Sequence, residues 1–212
     1  MSMWKKDMHM QEYSYYYEGA RFYCYPDCDV LINKFGLKDE KKLDEIERAI
    51  TFAKSADYKR NPIKGVFDFK HYCKIHKFLF EDIYEWAGKE REGGFMSKGN
   101  TVFTKSEYIE FAFGEYYKEI KKDKCLKGLD KETFCEKLAY YMSEVNTIHP
   151  FREGNGRTQR LYFRYLCRKA GYNLEFHGIH KNVLINADIA AFNREYEPLI
   201  KVLDKVASKS QE

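Results

Sequence analysis

The chain has 212 residues, enough for one domain to bury a core without disulfides or a structural metal. Its 37 Lys and Arg against 33 Asp and Glu leave a formal charge of +4, with no basic stripe of the kind that marks a nucleic-acid footprint. No stretch approaches the roughly 20 apolar residues of a membrane span. No apolar N-terminal run resembles a signal peptide, and the 6 cysteines include no Cys-x-x-Cys pair, so a reducing, cytoplasmic setting is expected.

In chain order, Cys24 and Cys28 flank Tyr25-Pro26-Asp27, and with His177 and His180 far downstream they lack zinc-ligand spacing, so they read as small hydrophobes. Leu43, Ile46, Ile50 and Ala53 recur at helical spacing across residues 41–56. Tyr72, Ile75, Leu79, Ile83 and Trp86 keep the same period, and Gly88 falls where a helix C-terminus favours a residue without Cβ. Residues 95–103 break the pattern: Phe95-Met96-Ser97 and Thr101-Val102-Phe103 around Lys98-Gly99-Asn100 read either as two short strands, marginal alone and so lying on the helices, or as a plain connecting loop. The edge of such a hairpin can accept a partner chain as an added strand. Gly94 and Gly99 have the internal spacing of a P-loop, but Asn100-Thr101 stands where Lys-Ser/Thr is required, so that motif is rejected. Lys121-Lys122-Asp123-Lys124 reads as a solvated loop between helices. A further helix is predicted over residues 131–147 with Asp130 as N-cap, another from Arg157 to before Gly171, and one or two more between Lys181 and Ala207. The fold class is all-α, with residues 1–212 as a single domain.

Between two of these helices runs His149-Pro150-Phe151-Arg152-Glu153-Gly154-Asn155-Gly156-Arg157-Thr158-Gln159-Arg160. Pro150 disfavours continuation of the incoming helix, and Gly154 and Gly156 bring bare backbone to the start of the outgoing one, where unpaired N–H groups and the macrodipole receive an anion. Arg157 and Arg160 lie in the first turns of that helix, an unfavourable place for cations unless a bound anion offsets them. Glu153 can hold Mg²⁺ in company with phosphate oxygens, and His149 suits proton abstraction near neutral pH. Phe151 reads as the anchor of the loop in the core.

This stretch resembles the signature of the Fic domains, His-x-Phe-x-(Asp/Glu)-Gly-Asn-Gly-Arg-x-x-Arg, at every fixed position. The similarity extends to Tyr25-Pro26, to the helix through His76-Lys77-Phe78 and on to Trp86-Ala87-Gly88, and to Met96-Ser97-Lys98-Gly99-Asn100. The resemblance implies a helical domain with a β-hairpin flap over the active site, formed by residues 95–103. It also implies transfer of AMP from Mg-ATP to a Tyr, Ser or Thr hydroxyl of a protein. His149 would deprotonate the hydroxyl and Glu153 would hold Mg²⁺. Gly154, Asn155 and Gly156 would cradle the phosphates, and Arg157 and Arg160 would bind the outer ones. Ser97, Lys98, Gly99, Asn100, Thr101 and Val102 would dock the target. Modification of the chain's own hydroxyls and a homodimer are compatible with this; other donors (UTP, GTP, CDP-choline) and a silent binding module remain as alternatives.

Ser14-Tyr15-Tyr16-Tyr17-Glu18-Gly19 resembles the family's inhibitory motif, Ser/Thr-x-x-x-Glu-(Gly/Asn). The resemblance implies a short inhibitory helix within residues 1–22, with the three tyrosines as its packing stripe. Glu18 would pair with Arg160 and place a negative charge where the γ-phosphate must lie. Here the motif is N-terminal, whereas relatives with this wording usually carry it in a C-terminal helix, so Glu18 would act within the chain, across a dimer or not at all.

Overall fold

The computed structural model describes residues 15–210. Among these are seven α-helices and two small antiparallel sheets. Helix α1 (Glu40–Arg60) starts where the Asp39 carboxylate accepts the Lys42 N–H at 3.2 Å, and it stops just before Pro62. Helix α2 (Phe69–Phe80) is capped by Asp68 in the same way and turns His71, Tyr72, Ile75, His76, Leu79 and Phe80 inward. The apolar period predicted this helix as far as Trp86, but it ends at Phe80. Residues 81–88 turn instead, so that Tyr84 stacks on Trp86 at 4.4 Å and Gly88 adopts a φ of 81°. Aromatic packing overrides the local period there.

Helix α3 (Ile109–Lys122) buries Ile109, Phe113, Tyr116 and Ile120 and places Lys121 and Lys122 in its last turn, where cations suit the dipole. Those lysines are therefore helical, not loop residues as the charge run suggested. Helix α4 (Lys131–Ile148) is capped by Asp130 as expected. Helix α5 (Asn155–Lys169) runs through the middle of the domain with Leu161, Tyr162, Phe163, Tyr165, Leu166 and Cys167 buried, which is why it can hold a functional loop rigidly at its N-terminus. The C-terminal pair, α6 (Lys181–Phe192) and α7 (Glu197–Val206), packs on α4. The core is largely aromatic: Tyr72 contacts Phe113 and Tyr162 with ring centroids 5.1 Å apart in each case. Two of its hydroxyls are linked, Tyr116 and Tyr162 sharing a 3.0 Å bond and Tyr162 donating to the Phe67 carbonyl at 2.6 Å, whereas the buried Tyr58 hydroxyl meets no partner among the described residues.

The first sheet joins β1 (Tyr15–Tyr17), β2 (Met96–Lys98) and β3 (Thr101–Val102), with Tyr16 opposite Ser97 and Ser97 opposite Val102. The predicted hairpin is thus present, and one of its edges is already covered by the chain's own β1. This corrects the expectation of a helix at the inhibitory-type motif: the tyrosines form a strand, the conformation aromatic residues favour when a sheet edge is available. Ser14 lies outside the described residues. The underside of the sheet buries Tyr17, Tyr23, Met96 and Phe103 in a small cluster of its own. The second sheet pairs β4 (Tyr172–Leu174) with β5 (Ala207–Lys209). No helix among the described residues is long and apolar enough to cross a membrane.

Candidate active site

Helix α4 ends on His149, which takes the left-handed conformation (φ 46°, ψ 59°) and so swings the chain out of the helix ahead of Pro150. Its Nδ1 lies 3.3 Å from the Asn146 carbonyl. A carbonyl only accepts, so Nδ1 carries the proton and Nε2 keeps its lone pair. Burial pushes the imidazole pKa down to about 3; the Asn146 carbonyl works against that, and the charges of Arg91 and Lys98 add to it. The ring lies flat on Phe103, at the end of the flap, with centroids 3.8 Å apart.

From His149 the loop dives into the core. Phe151 is fully buried, stacked 3.8 Å from His76 and 5.5 Å from Tyr72. His76 accepts the Gly88 N–H at Nδ1 (2.8 Å) and therefore donates from Nε2 to the Glu153 carbonyl (3.0 Å). The Asn155 side chain closes the bend, accepting the Phe151 N–H at 2.9 Å and donating to the Phe151 carbonyl at 2.7 Å. That corrects one expectation: the Asn155 amide is engaged with backbone and shapes the cradle, so what it offers a phosphate is its own N–H.

Gly154 is the N-cap of α5 at φ 81°, and a Cβ there would collide with the Phe80 ring. Because glycine brings no capping side chain, the N–H groups of Asn155, Gly156 and Arg157 meet no acceptor among the described residues. At Gly156 a Cβ would press on Arg160 Nη1 at 3.3 Å, so the glycine lets that guanidinium lie beside the cradle. The cradle is an anion-receiving helix start with bare walls.

The two arginines differ in their partners. Arg157 donates to Glu47 of α1 at 2.6 Å, to Thr51 at 3.3 Å and to Glu153 at 3.3 Å, with its guanidinium over the Phe80 ring. Glu47 also accepts from the Tyr84 hydroxyl. Arg160 is half-buried and, among the described residues, meets no hydrogen-bond acceptor and no carboxylate at ion-pair distance. Burial lowers its pKa while the field of Asp188 raises it. Asp188 itself is pushed up to about 7 by burial, against the pull of Arg160.

Glu153 turns one oxygen to the Gly154 N–H at 2.8 Å and to Arg157, leaving the other without a partner among the described residues on a side chain that is 46% exposed. No group of three or more His, Cys, Asp or Glu able to cage a metal occurs among the described residues. A single carboxylate beside an anion cradle fits Mg²⁺ brought in with polyphosphate rather than held by protein alone.

Glu18 does not reach Arg160. Its carboxylate accepts the Phe95 N–H at 2.8 Å, and its own N–H donates to the Phe95 carbonyl at 3.1 Å, so it clips β1 to the start of the flap. The strand geometry of Tyr15–Tyr17 carries the chain along the hairpin, which is why the carboxylate ends at the flap's base. The flap residues Ser97, Lys98, Gly99, Asn100, Thr101 and Val102 form the hairpin itself. Two structural contributors escaped sequence reasoning, Glu47 and Arg91, and the contact of the flap residue Phe103 with the His149 ring was not foreseen. A signal existed for Glu47, a carboxylate on the same buried stripe of α1 as Leu43 and Thr51.

Fold and site together define a helical domain with a flap over a catalytic-type loop that gathers an imidazole, a carboxylate and an anion cradle. The Fic/DOC family model matches residues 66–167. The protein adenylyltransferase VbhT of Bartonella schoenbuchensis is 38% identical over 177 residues, which are 83% of this chain and 37% of that protein. The probable protein adenylyltransferase Fic of Escherichia coli is 32% identical over 196 residues, 92% of this chain and 96% of its own length. The crystal structure of the BepC protein of Bartonella tribocorum with bound AMPPNP superposes with a TM-score of 0.84 at 25% identity, covering 92% of this chain and all of that one. The chain belongs to the Fic/DOC family and is an enzyme of the protein adenylyltransferase class.

Proposed function

We propose that the chain moves AMP from ATP to a Tyr, Ser or Thr hydroxyl of a protein. The hydroxyl oxygen attacks the α-phosphorus, the bond from that phosphorus to the bridging oxygen of the β-phosphate breaks, and pyrophosphate leaves with the electron pair. The acceptor's proton passes to Nε2 of His149, the nitrogen left free by the Asn146 contact. The observation that carries the reading is that one rigid bend brings this lone pair to the same loop as three unpartnered helix N–H groups and the unengaged Arg160. ATP as donor is supported by the AMPPNP, an ATP analogue, in the BepC structure.

Arg160 binds the outer phosphates directly. Arg157 does so by giving up its bond to Glu153, while Glu47 keeps its guanidinium in place. Mg²⁺, held by Glu153 and the phosphates, would neutralise charge between the α- and β-phosphates. Within the flap, residues 97–102, the outer edge of β3 (Thr101–Val102) is the one that β1 leaves uncovered, and it offers the target a strand edge. Any restraint exerted by Glu18 acts through the flap it clips, not by occupying the γ-phosphate position.

The test is transfer of label from α-labelled ATP to the protein itself and to proteins of a cell lysate, with mass spectrometry of the products. His149→Ala is expected to lower transfer by about 10²–10⁴, the usual worth of a positioned base, while AMPPNP binding measured by calorimetry persists. Undiminished transfer in that variant would remove His149 from its role. Intact-mass comparison of ATP with UTP, GTP and CDP-choline as donors separates adenylyl transfer from its alternatives.

A further inference from the structure

Arg91 is among the largest fully buried side chains of the protein, 1% exposed, in the turn between α2 and the flap. A buried guanidinium persists only where its donors are met, and here they are met by carbonyl oxygens from three separate places. Nε donates to the carbonyl of His149 at 2.9 Å. One terminal nitrogen donates to the carbonyl of Gly94, at the entry of the flap, at 3.0 Å, and the other to the carbonyl of Thr104, at its exit. The Arg91 backbone N–H adds a 2.8 Å bond to the carbonyl of Pro150. A single planar fork thus touches both ends of the hairpin and the residue that carries the base.

The surrounding bonds make this a device rather than a collection of contacts. The exit of the flap is tied to the end of α4 through Thr104 N–H to the Thr147 carbonyl at 3.0 Å, and the next residue back, Phe103, lies flat against the His149 ring. The entry is tied to the exit through Gly94 and Ser106, which exchange bonds of 2.8 and 3.1 Å. Without the guanidinium, the hairpin would keep its own ladder and the tie of its exit to α4, but both of its ends would lose their common link to the His149 carbonyl. Lysine cannot substitute, because an ammonium on a flexible stem has no fixed fork to span three diverging carbonyls.

Resting on the proposed transfer reaction, we propose that Arg91 is its positioning residue: it holds the flap at a fixed distance and angle from the His149 imidazole, so that a hydroxyl presented on the flap meets the base in line with the nucleotide. Arg91 touches neither nucleotide nor acceptor. It acts through the hairpin and the His149 backbone, and leaves the phosphate cradle to the Phe151, Asn155 and His76 contacts.

Two variants of the full chain test this, Arg91→Lys and Arg91→Met, the lysine form guarding against a methionine form that does not fold. The first readout is amide hydrogen exchange. Amides of residues 95–103 are expected to exchange about tenfold faster in Arg91→Lys, the loss of about one net hydrogen bond, while those inside α5 keep their protection. The second is the split between binding and chemistry. AMPPNP affinity is expected to stay within about twofold, whereas AMP transfer falls about 100-fold, the scale set by a misplacement of about 1 Å. Unchanged flap exchange overturns the proposal, as does wild-type transfer in Arg91→Lys. So does a parallel loss of AMPPNP binding, which would make Arg91 a general structural residue. Should the wild-type chain show no AMP transfer at all, the proposed reaction falls, and Arg91 is still judged by the exchange of the flap amides.

Discussion

His76 spends both ring nitrogens on backbone groups, one accepting from Gly88 and one donating to Glu153, whereas His149 spends only the nitrogen that faces Asn146. The two imidazoles are alike in burial cost, each pushed down to about 3, yet only one keeps a lone pair for chemistry. For His149 the sign matters. A base must be unprotonated to act, and a pKa lowered from 6.5 to about 3 leaves it so throughout the neutral range. We therefore expect kcat/KM for AMP transfer, which reports the free enzyme, to show no acidic limb near the ordinary imidazole value and to stay flat between about pH 6 and 8. A rate that halves near pH 6.5 would mean that solvent reaches the ring in the working enzyme and that Phe103 has moved off it.

The hairpin of residues 95–103 and the strand beside it behave as one unit, and they divide what the sequence discloses from what it hides. The turn at Gly99-Asn100 offered two short strands as one of two readings beside a connecting loop, and the structure has the strands, β2 and β3, because a short-range turn signal and strand propensity agree there. The loop from His149 to Arg160 was legible for a similar reason: its glycines, proline and charges act within a dozen residues. Tyr15–Tyr17 was not, since three tyrosines suit either an amphipathic helix or a strand, and the choice was made by a β2 edge some eighty residues away in the chain. Nor was α3, whose apolar stripe is interrupted to the eye by Gly114 and extra aromatics at Phe111 and Tyr117. Arg91 illustrates the limit further, since nothing local announces that an arginine will be buried under three carbonyls.

The contact of Glu18 gives that unit a measurable property. Glu18→Gly removes the carboxylate half of the clip on Phe95 but takes nothing from the phosphate site, so AMPPNP affinity by calorimetry is expected to change less than about twofold, while protection of the flap amides falls. A carboxylate seated at the γ-phosphate position would behave otherwise, and its removal would tighten nucleotide binding by tenfold or more, as expected when a like charge is lifted from beside an anion. Tightening on that scale would show that Glu18 visits Arg160 after all.

Across the whole domain, buried imidazoles link folding to acidity. His71, His76 and His149 are all held below their ordinary 6.5 with burial as the first cause. A histidine whose folded pKa is depressed binds fewer protons folded than unfolded, so its share of stability is complete above pH 6.5 and is lost as pH falls below it. Asp188, raised to about 7, and Glu90 and Glu144, raised by burial, act in the opposite sense: the fold binds their protons more readily, and they favour it on acidification. Total stability is therefore a contest between the two sets, and the contribution of one histidine is visible only as a difference. His76 is the cleanest choice, being fully buried with both nitrogens engaged. Gln at position 76 keeps a donor and an acceptor but does not titrate. Urea unfolding of wild type and His76→Gln should give a stability gap that is constant above about pH 7 and narrows by up to about 1.4 kcal/mol per pH unit between pH 6.5 and 4, the limit for one proton. A gap that stays level across that window would mean that His76 remains protonated inside the fold. The Gly88 N–H could then find no lone pair at Nδ1, and the support beneath the anion cradle would need a different explanation.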